Sequence, residues 1–227
     1  MKLFTISDLH LSFGTDKPMD IFRGWQNHYQ RIEKNWKKLV SEEDVVVLSG
    51  DTSWAINFDE LLPDFTFIND LPGTKIILKG NHDYWWSTVT KINNFLSENN
   101  LNTIKILHNN AYFVNGVAVC GTRGWLYDGT GVHDEKVISR ENGRLIASLK
   151  EGKTLGGKII VFMHYPPAYA DFVCDTFIKS LKQYGVDTVY YGHIHGNGLN
   201  NALTEYDGIK MKLTSCDCID FTPIMVK

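Results

Sequence analysis

Five of the chain's eight histidines stand in five polar clusters, each placed where a short apolar run ends. Asp8-Leu9-His10 follows Leu3–Ser7, Gly50-Asp51 follows Val45–Ser49, and Gly80-Asn81-His82-Asp83 follows Lys75–Leu78. His164 follows Lys158–Met163, and Gly192-His193-Ile194-His195-Gly196 follows Thr188–Tyr191. Carboxylate oxygens, imidazole nitrogens and one amide oxygen, with no sulfur, suit Mn, Fe or Zn better than a thiolate-selecting metal or calcium. The donors are too many for one ion and point to a two-metal centre. Any single cluster is more often hydrogen-bonded structure than a ligand pair. Five of them, each at the end of an apolar run, are not read so, because burying so many carboxylates and imidazoles without an ion is costly.

Strands that end side by side would bring these residues together, since ligands of open α/β sheets collect beyond the carboxyl ends of the strands. Residues i and i+2 of a strand share a face, so Asp8 and His10 are expected to reach one site, and His193 and His195 the same region. Gly50, Gly80 and Gly192 permit tight turns and close backbone approach. The strand-like runs, with Val117–Cys120, alternate with helix-period segments. Ile21, Trp25, Tyr29, Ile32, Trp36 and Leu39 mark the first, within 17–40, and Val89, Ile92, Phe95 and Leu96 the second. Val137 to Leu149 suggests a third, interrupted by Gly143, and Phe172, Phe177, Ile178 and Leu181 a fourth. Asn115-Gly116 and Asp207-Gly208 are hairpin signals, so the sheets are mixed and the class is α/β. With no repeat or linker, the 227 residues are expected to form one domain, 1–227.

A hydrophobic content of 43% with 22% charged residues is that of a globular protein, and a net charge of −3 gives no general pull toward nucleic acid or anionic membrane. No obligate nucleic-acid partner is evident. The apolar runs are too short for a membrane span. Met1 leads directly into a strand-like segment, and Cys120, Cys174, Cys216 and Cys218 lack disulfide-scaffold spacing. A cytoplasmic protein is expected, with Cys216 and Cys218 as small core residues.

Asp8-x-His10, Gly50-Asp51, Gly80-Asn81-His82-Asp83, His164 and Gly192-His193-x-His195 resemble, in order, the five signature blocks of the calcineurin-like metallophosphoesterase superfamily. The resemblance runs from residue 8 to 195. It implies a four-layer αββα sandwich of two mixed β-sheets. It also implies one metal held by Asp8, His10, Asp51 and His195, and a second by Asp51, Asn81, His164 and His193, with Asp51 bridging. The implied activity is phosphoester hydrolysis, a hydroxide shared by the metals attacking phosphorus in line. His82 stays unligated in this scheme, facing the phosphate and assisting the leaving group, while Asp83 orients its ring and favours its cationic form.

The substrate is less legible. Protein Ser/Thr phosphatases of the superfamily follow the second block with Val-Asp-Arg-Gly, whereas this chain has Gly50-Asp51-Thr52-Ser53. Lipid-A-precursor hydrolases carry Arg at the position of His82, and the related nucleases are longer. What remains is a compact bacterial-type phosphomonoesterase or phosphodiesterase acting on a small molecule, nucleotides included. Arg123, in Gly121-Thr122-Arg123-Gly124-Trp125, is a candidate to bind the phosphate beside Asn81 and His82, or else a salt-bridged arginine. Trp54, Tyr84, Trp85, Trp86, Trp125 and Tyr165 divide between cleft wall and core. Segments 17–40 and 125–150 interrupt the motif order and are positioned to cap the cleft. The alternative is a non-catalytic scaffold with the same fold, and the complete set of ligand positions favours the enzyme.

Overall fold

Val45–Leu48 is apolar at every position because both faces of the strand are covered: Val46 and Leu48 enter one core, Val45 and Val47 another. The computed structural model, which describes residues 1–125 and 135–227, repeats this division throughout. In chain order the elements are β1 (Leu3–Ile6), α1 (His28–Leu39), β2 (Val45–Leu48), α2 (Phe58–Asp70), β3 (Thr74–Ile77), α3 (Val89–Glu98) and β4 (Ile104–Ile106). Then come β5 (Tyr112–Val114), β6 (Val117–Thr122), α4 (Glu135–Leu155), β7 (Lys158–Met163), β8 (Ala168–Tyr169), β9 (Phe172–Val173) and α5 (Asp175–Gln183). The chain ends with β10 (Thr188–Tyr191), β11 (Glu205–Tyr206), β12 (Ile209–Leu213) and β13 (Ile224–Met225).

One sheet has the order β13-β1-β2-β3-β4 and is parallel except for β13. The other has the order β11-β12-β10-β7-β6-β5, with antiparallel hairpin strands β11 and β5 at its edges. Alternate residues of the first sheet pack on Ile32 and Trp36 of α1, Leu61 and Phe65 of α2, and Ile92 and Phe95 of α3. Val161, Met163 and Val189 of the second sheet pack on Leu145 and Leu149 of α4 and Phe177 and Leu181 of α5. Val47, Ile76, Ile160, Phe162 and Tyr190 fill the space between the sheets. The architecture is therefore the expected αββα sandwich of two mixed sheets. No helix among the described residues is long and apolar enough to cross a membrane.

Both hairpins form as expected, with positive φ at Asn115 and Gly116 and at Asp207 and Gly208. The helix expected over 17–40 does not run through. Left-handed backbone at Gly24 (φ 91°) and Asn27 (φ 55°) separates a 3₁₀ turn at Met19–Ile21 from α1, and Ile21 is left 74% exposed. The chain continues helically through Gly143, whose α-carbon faces open space, so that glycine is no interruption. Phe172 belongs to the short strand β9, not to a helix. Helix α2, which contains Pro63, has no counterpart in the sequence reading. The Asn57 side chain caps its N-terminus by accepting from Glu60 N.

Asp64 of α2 ties down the loops that follow β1 and β2, accepting from Phe13 N at 2.7 Å and from the Ser53 hydroxyl. Burial pushes its carboxyl up to about 6 from 3.8. The folded state thus favours the protonated form, a contribution complete below pH 3.8 and lost as pH rises through about 6. Asp64→Asn is expected to raise the melting temperature relative to wild type more at pH 8 than at pH 4. Equal differences at the two pH values would contradict the assignment.

Candidate metal centre

β1, β2 and β3 run parallel in one sheet and β7 and β10 in the other, and each candidate ligand lies in the loop just past one of these strands. Strand alternation is therefore not what unites Asp8 with His10, or His193 with His195, since β1 ends at Ile6 and β10 at Tyr191. The backbone turns instead. Asp8 (φ 60°), His10 (φ 46°), Asp51 (φ 49°) and His193 (φ 71°) all adopt left-handed conformations. Such conformations cost a non-glycine residue on the order of 1–3 kcal/mol each and persist where the surroundings impose them. Here neighbouring loops impose them: Asp8 N donates to Gly50 O and His10 N to Asp51 O, both at 3.0 Å, and Gly192 N donates to His164 O at 3.1 Å. Gly80 permits this approach, because a Cβ there would overlap the Oδ1 and backbone N of Asp51.

The side chains converge on one buried cluster. Asp8 Oδ1 lies 3.1 Å from His195 Nε2, and Asp51 Oδ2 lies 3.9 Å from His10 Nε2 and 3.5 Å from His164 Nε2. Asn81 Oδ1 lies 2.5 Å from His164 Nε2 and 2.9 Å from His193 Nδ1. Two groups, Asp8–His10–His195 and Asp8–Asp51–His164, each place one ligand atom per residue within 4.8 Å of the others. Burial raises the Asp8 carboxyl, but His195, His164 and His10 outweigh it and hold the group well below the usual carboxylate range. Asp51 goes the other way: burial, then Asp8 and Asp83, push it well above that range. Burial holds the His10 imidazole well below its usual range and pushes His164 down to about 3. His195 reaches about 10, because the Asp8 and Asp217 carboxylates overcome its burial.

These features fit a bound cation. Buried His164 is neutral at ordinary pH and has one N–H, yet both its nitrogens face acceptors: Nδ1 meets Ser49 O at 3.0 Å, and Nε2 meets Asn81 Oδ1. One N–H cannot serve both, and a cation taking the Nε2 and Oδ1 lone pairs resolves the conflict. Donating the other ring N–H to a carbonyl or carboxylate is also how ligand histidines are oriented. His164 has Ser49 O for this purpose, and His195 Nδ1 has Asp217 Oδ1 at 2.8 Å. His10 Nδ1 is buried without a hydrogen-bond partner, its ring stacked on Trp54 at 4.9 Å.

Asp83 does not orient His82. Its buried carboxylate accepts from the backbone N of Asp51 (3.0 Å), Gly80 (2.6 Å), Thr52 (2.9 Å) and Ser53 (3.3 Å), and from Trp85 Nε1 (3.1 Å). A buried carboxylate with this many amide donors in reach is claimed by them, and Asp83 clasps the β2 loop to the β3 loop. Nor is His82 pushed toward its cationic form. Burial lowers it, Asp8 raises it, and Lys17 and His195 lower it further. The ring is half-buried, with the Tyr84 hydroxyl 3.4 Å from Nδ1 and Trp54 4.5 Å away centre to centre. Asp83→Asn strips acceptors from several buried donors and is expected to lower the melting temperature by on the order of 10 °C. A melt unchanged from wild type would show that the clasp is dispensable.

A cavity of about 390 Å³ opens beside His10, His82 and His195, with Met19, Trp25 and Trp54 among its walls. The start of segment 17–40 therefore borders the cleft. Of segment 125–150, residues 126–134 lie outside the described residues, and α4 packs against the outer face of the second sheet. Trp54 is the one expected wall residue in this cavity. Trp85 is core, Tyr84 is exposed, and Tyr165 is buried with its ring 4.3 Å from His193. Trp86 and Arg123 line a different cavity, where Arg123 pairs with Glu141 at 3.4 Å and lies over Trp125. Cys216 is core, whereas Cys218 is exposed.

Asp217 was missed. It stands in Cys216-Asp217-Cys218, where the thiols draw attention and nothing nearby in sequence links the carboxylate to His195. Asp217→Ala is expected to weaken metal binding by roughly 10–100-fold, the usual cost of losing a partner behind a ligand histidine. Titration against a competing chelator would measure this, and unchanged affinity would rule out the orienting role.

The family model for calcineurin-like phosphoesterases matches residues 1–197, and the chain belongs to that family. The solved structures it resembles include a protein of unknown function, AQ665, from Aquifex aeolicus (18% identity, TM-score 0.56, 99% of this chain and 95% of that one). Phosphopantetheinyl hydrolase from Mycobacterium tuberculosis is similar at 15% identity and TM-score 0.56, over 99% of this chain and 95% of that one. TT1561 of Thermus thermophilus is similar at 11% identity and TM-score 0.57, over 99% and 97%. These likenesses establish the shared fold. A search of curated protein sequences found no match.

Proposed function

We propose that the protein hydrolyses small-molecule phosphoesters at a dinuclear metal centre. The observation that carries this reading is the pair of donor groups at the ends of two facing sheets, in a chain of the calcineurin-like phosphoesterase family. We assign one ion to Asp8, His10, Asp51 and His195, and the other to Asp51, Asn81, His164 and His193. The two donor groups share Asp8, yet Asp51 is the better bridge. Its Oδ2 faces one imidazole from each set, whereas Asp8 Oδ2 is engaged by the Ser7 and Ser215 hydroxyls. Bound there, transition ions such as Mn, Fe or Zn would make hydroxide available near neutral pH and offset the charge of a phosphate.

The chain's own groups would do the rest. The His82 backbone N donates to Asp51 Oδ1 at 2.8 Å, which anchors this residue beside the proposed bridging carboxylate, and His82 lines the cavity. From there it would protonate the leaving oxygen and stabilise charge on the phosphoryl group, with Tyr84 as its ring partner. Met19, Trp25 and Trp54 would exclude water around an apolar or aromatic leaving group, such as a nucleoside or acyl chain. The four free cysteines agree with a cytoplasmic setting. The test is a screen of the metal-loaded protein against mononucleotides, cyclic nucleotides, dinucleotides and phospholipid head groups. Turnover that chelation abolishes is expected, and no turnover of any ester with Mn²⁺, Fe²⁺ or Zn²⁺ would overturn the reading.

A further inference from the structure

A second cavity, of about 120 Å³, is lined by Lys79 and Trp86 from the β3–α3 connection, His108 from the loop after β4, Arg123 from the end of β6, and Glu141 and Arg144 from α4. It is too small for the about 300–1,000 Å³ of organic-ligand sites. Its chemistry is that of an anion site. Glu141 is fully buried, and its carboxylate accepts from Arg144 at 2.6 Å, Thr122 Oγ1 at 2.9 Å and Arg123 at 3.4 Å. Glu141 thus meets two guanidinium groups, and the Lys79 ammonium lines the same cavity. Among the described residues Lys79 forms no close ion pair, although the charges of Asp83 and Glu141 reach it, and Arg123 Nε is buried with no hydrogen-bond partner. A merely structural pairing of α4 with β6 would leave neither an excess of positive charge nor an orphaned guanidinium N–H. A phosphate dianion satisfies both, since guanidinium forks match its oxygens and an ammonium adds a point charge.

The cavity shares its segments with the metal centre. Lys79 directly precedes Gly80-Asn81, and Arg123 O accepts from the backbone N of Tyr165, whose ring lies against His193. We propose that this cavity binds a second phosphate group of the same substrate, so that the enzyme acts on bisphosphorylated small molecules; this rests on the hydrolase reading for the first phosphate.

The first arm of the test is a calorimetric titration of metal-stripped protein with inorganic phosphate. Saturable binding is expected, weakened at least about tenfold in Lys79→Met, the loss of one charge-assisted contact, and retained in Lys79→Arg. No binding by wild type, or equal binding by Lys79→Met, would overturn the phosphate site. The second arm compares metal-loaded wild type and Lys79→Met on matched sugar and nucleoside monophosphates and bisphosphates. The variant should lose about tenfold in kcat/KM on the bisphosphates alone, and equal loss on both classes would overturn the substrate assignment. The titration needs no turnover, so it judges the cavity even if the protein hydrolyses nothing, an outcome that would instead overturn the proposed function.

Discussion

Asp51→Asn should strip the protein of both metal ions and bring hydrolysis down to the level of the chelated wild type. The substitution keeps the shape of the side chain and its Oδ1 acceptor for His82 N, so the loop after β2 has no steric reason to move. What it removes is the carboxylate oxygen that lies between His10 Nε2 and His164 Nε2, one imidazole from each proposed ligand set. In the metal-free protein burial, then Asp8 and Asp83, disfavour the charged form of this carboxyl, so Asn should fold at least as well as Asp. Loss of metal with an unchanged melting temperature of the metal-free protein is therefore the expected pair of results. A variant that still takes up two ions would show that Asp51 does not bridge them.

His82→Ala should behave in the opposite way, keeping its metal and losing rate. The backbone N–H that binds Asp51 is untouched, and the imidazole belongs to neither proposed ligand set. General acid assistance typically contributes about 10²–10⁴-fold, and kcat is expected to fall by roughly that factor. The loss should be largest on esters whose leaving group is a poor one, since these need the proton most. Metal content below that of wild type would place His82 among the ligands instead and overturn its role.

Much of the fold could be read in the chain because one rule governed many residues. β2, covered on both faces, is apolar at every position, and the two hairpin turns need backbone that Asn-Gly and Asp-Gly supply. The ends of β1, β2, β3, β7 and β10 were marked by the polar residues that follow them. What was misread depended on backbone angles or on distance along the chain. Period alone joined Ile21 to Leu39, but left-handed Gly24 and Asn27 break that helix. Helix α2, which contains Pro63, was not foreseen.

The candidate ligands come together through positive φ and not through strand alternation. Asp83 was paired with His82 because they are neighbours in sequence, yet amides of the facing loop hold its carboxylate. Asp217 lies 22 residues from His195, and the basic cavity gathers Lys79, Arg123 and Arg144 from separate elements. Such associations exist only once the sheets have packed.

The central claim is that these loops hold two transition ions that hydrolysis requires. Its most direct test is the metal content per chain, by element-resolved mass spectrometry after reconstitution and desalting, with phosphoester turnover measured on the same sample. Two ions per chain, with turnover lost and regained as metal is chelated and restored, is the predicted result. A folded chain that retains no metal after saturating Mn²⁺, Fe²⁺ and Zn²⁺ would contradict it.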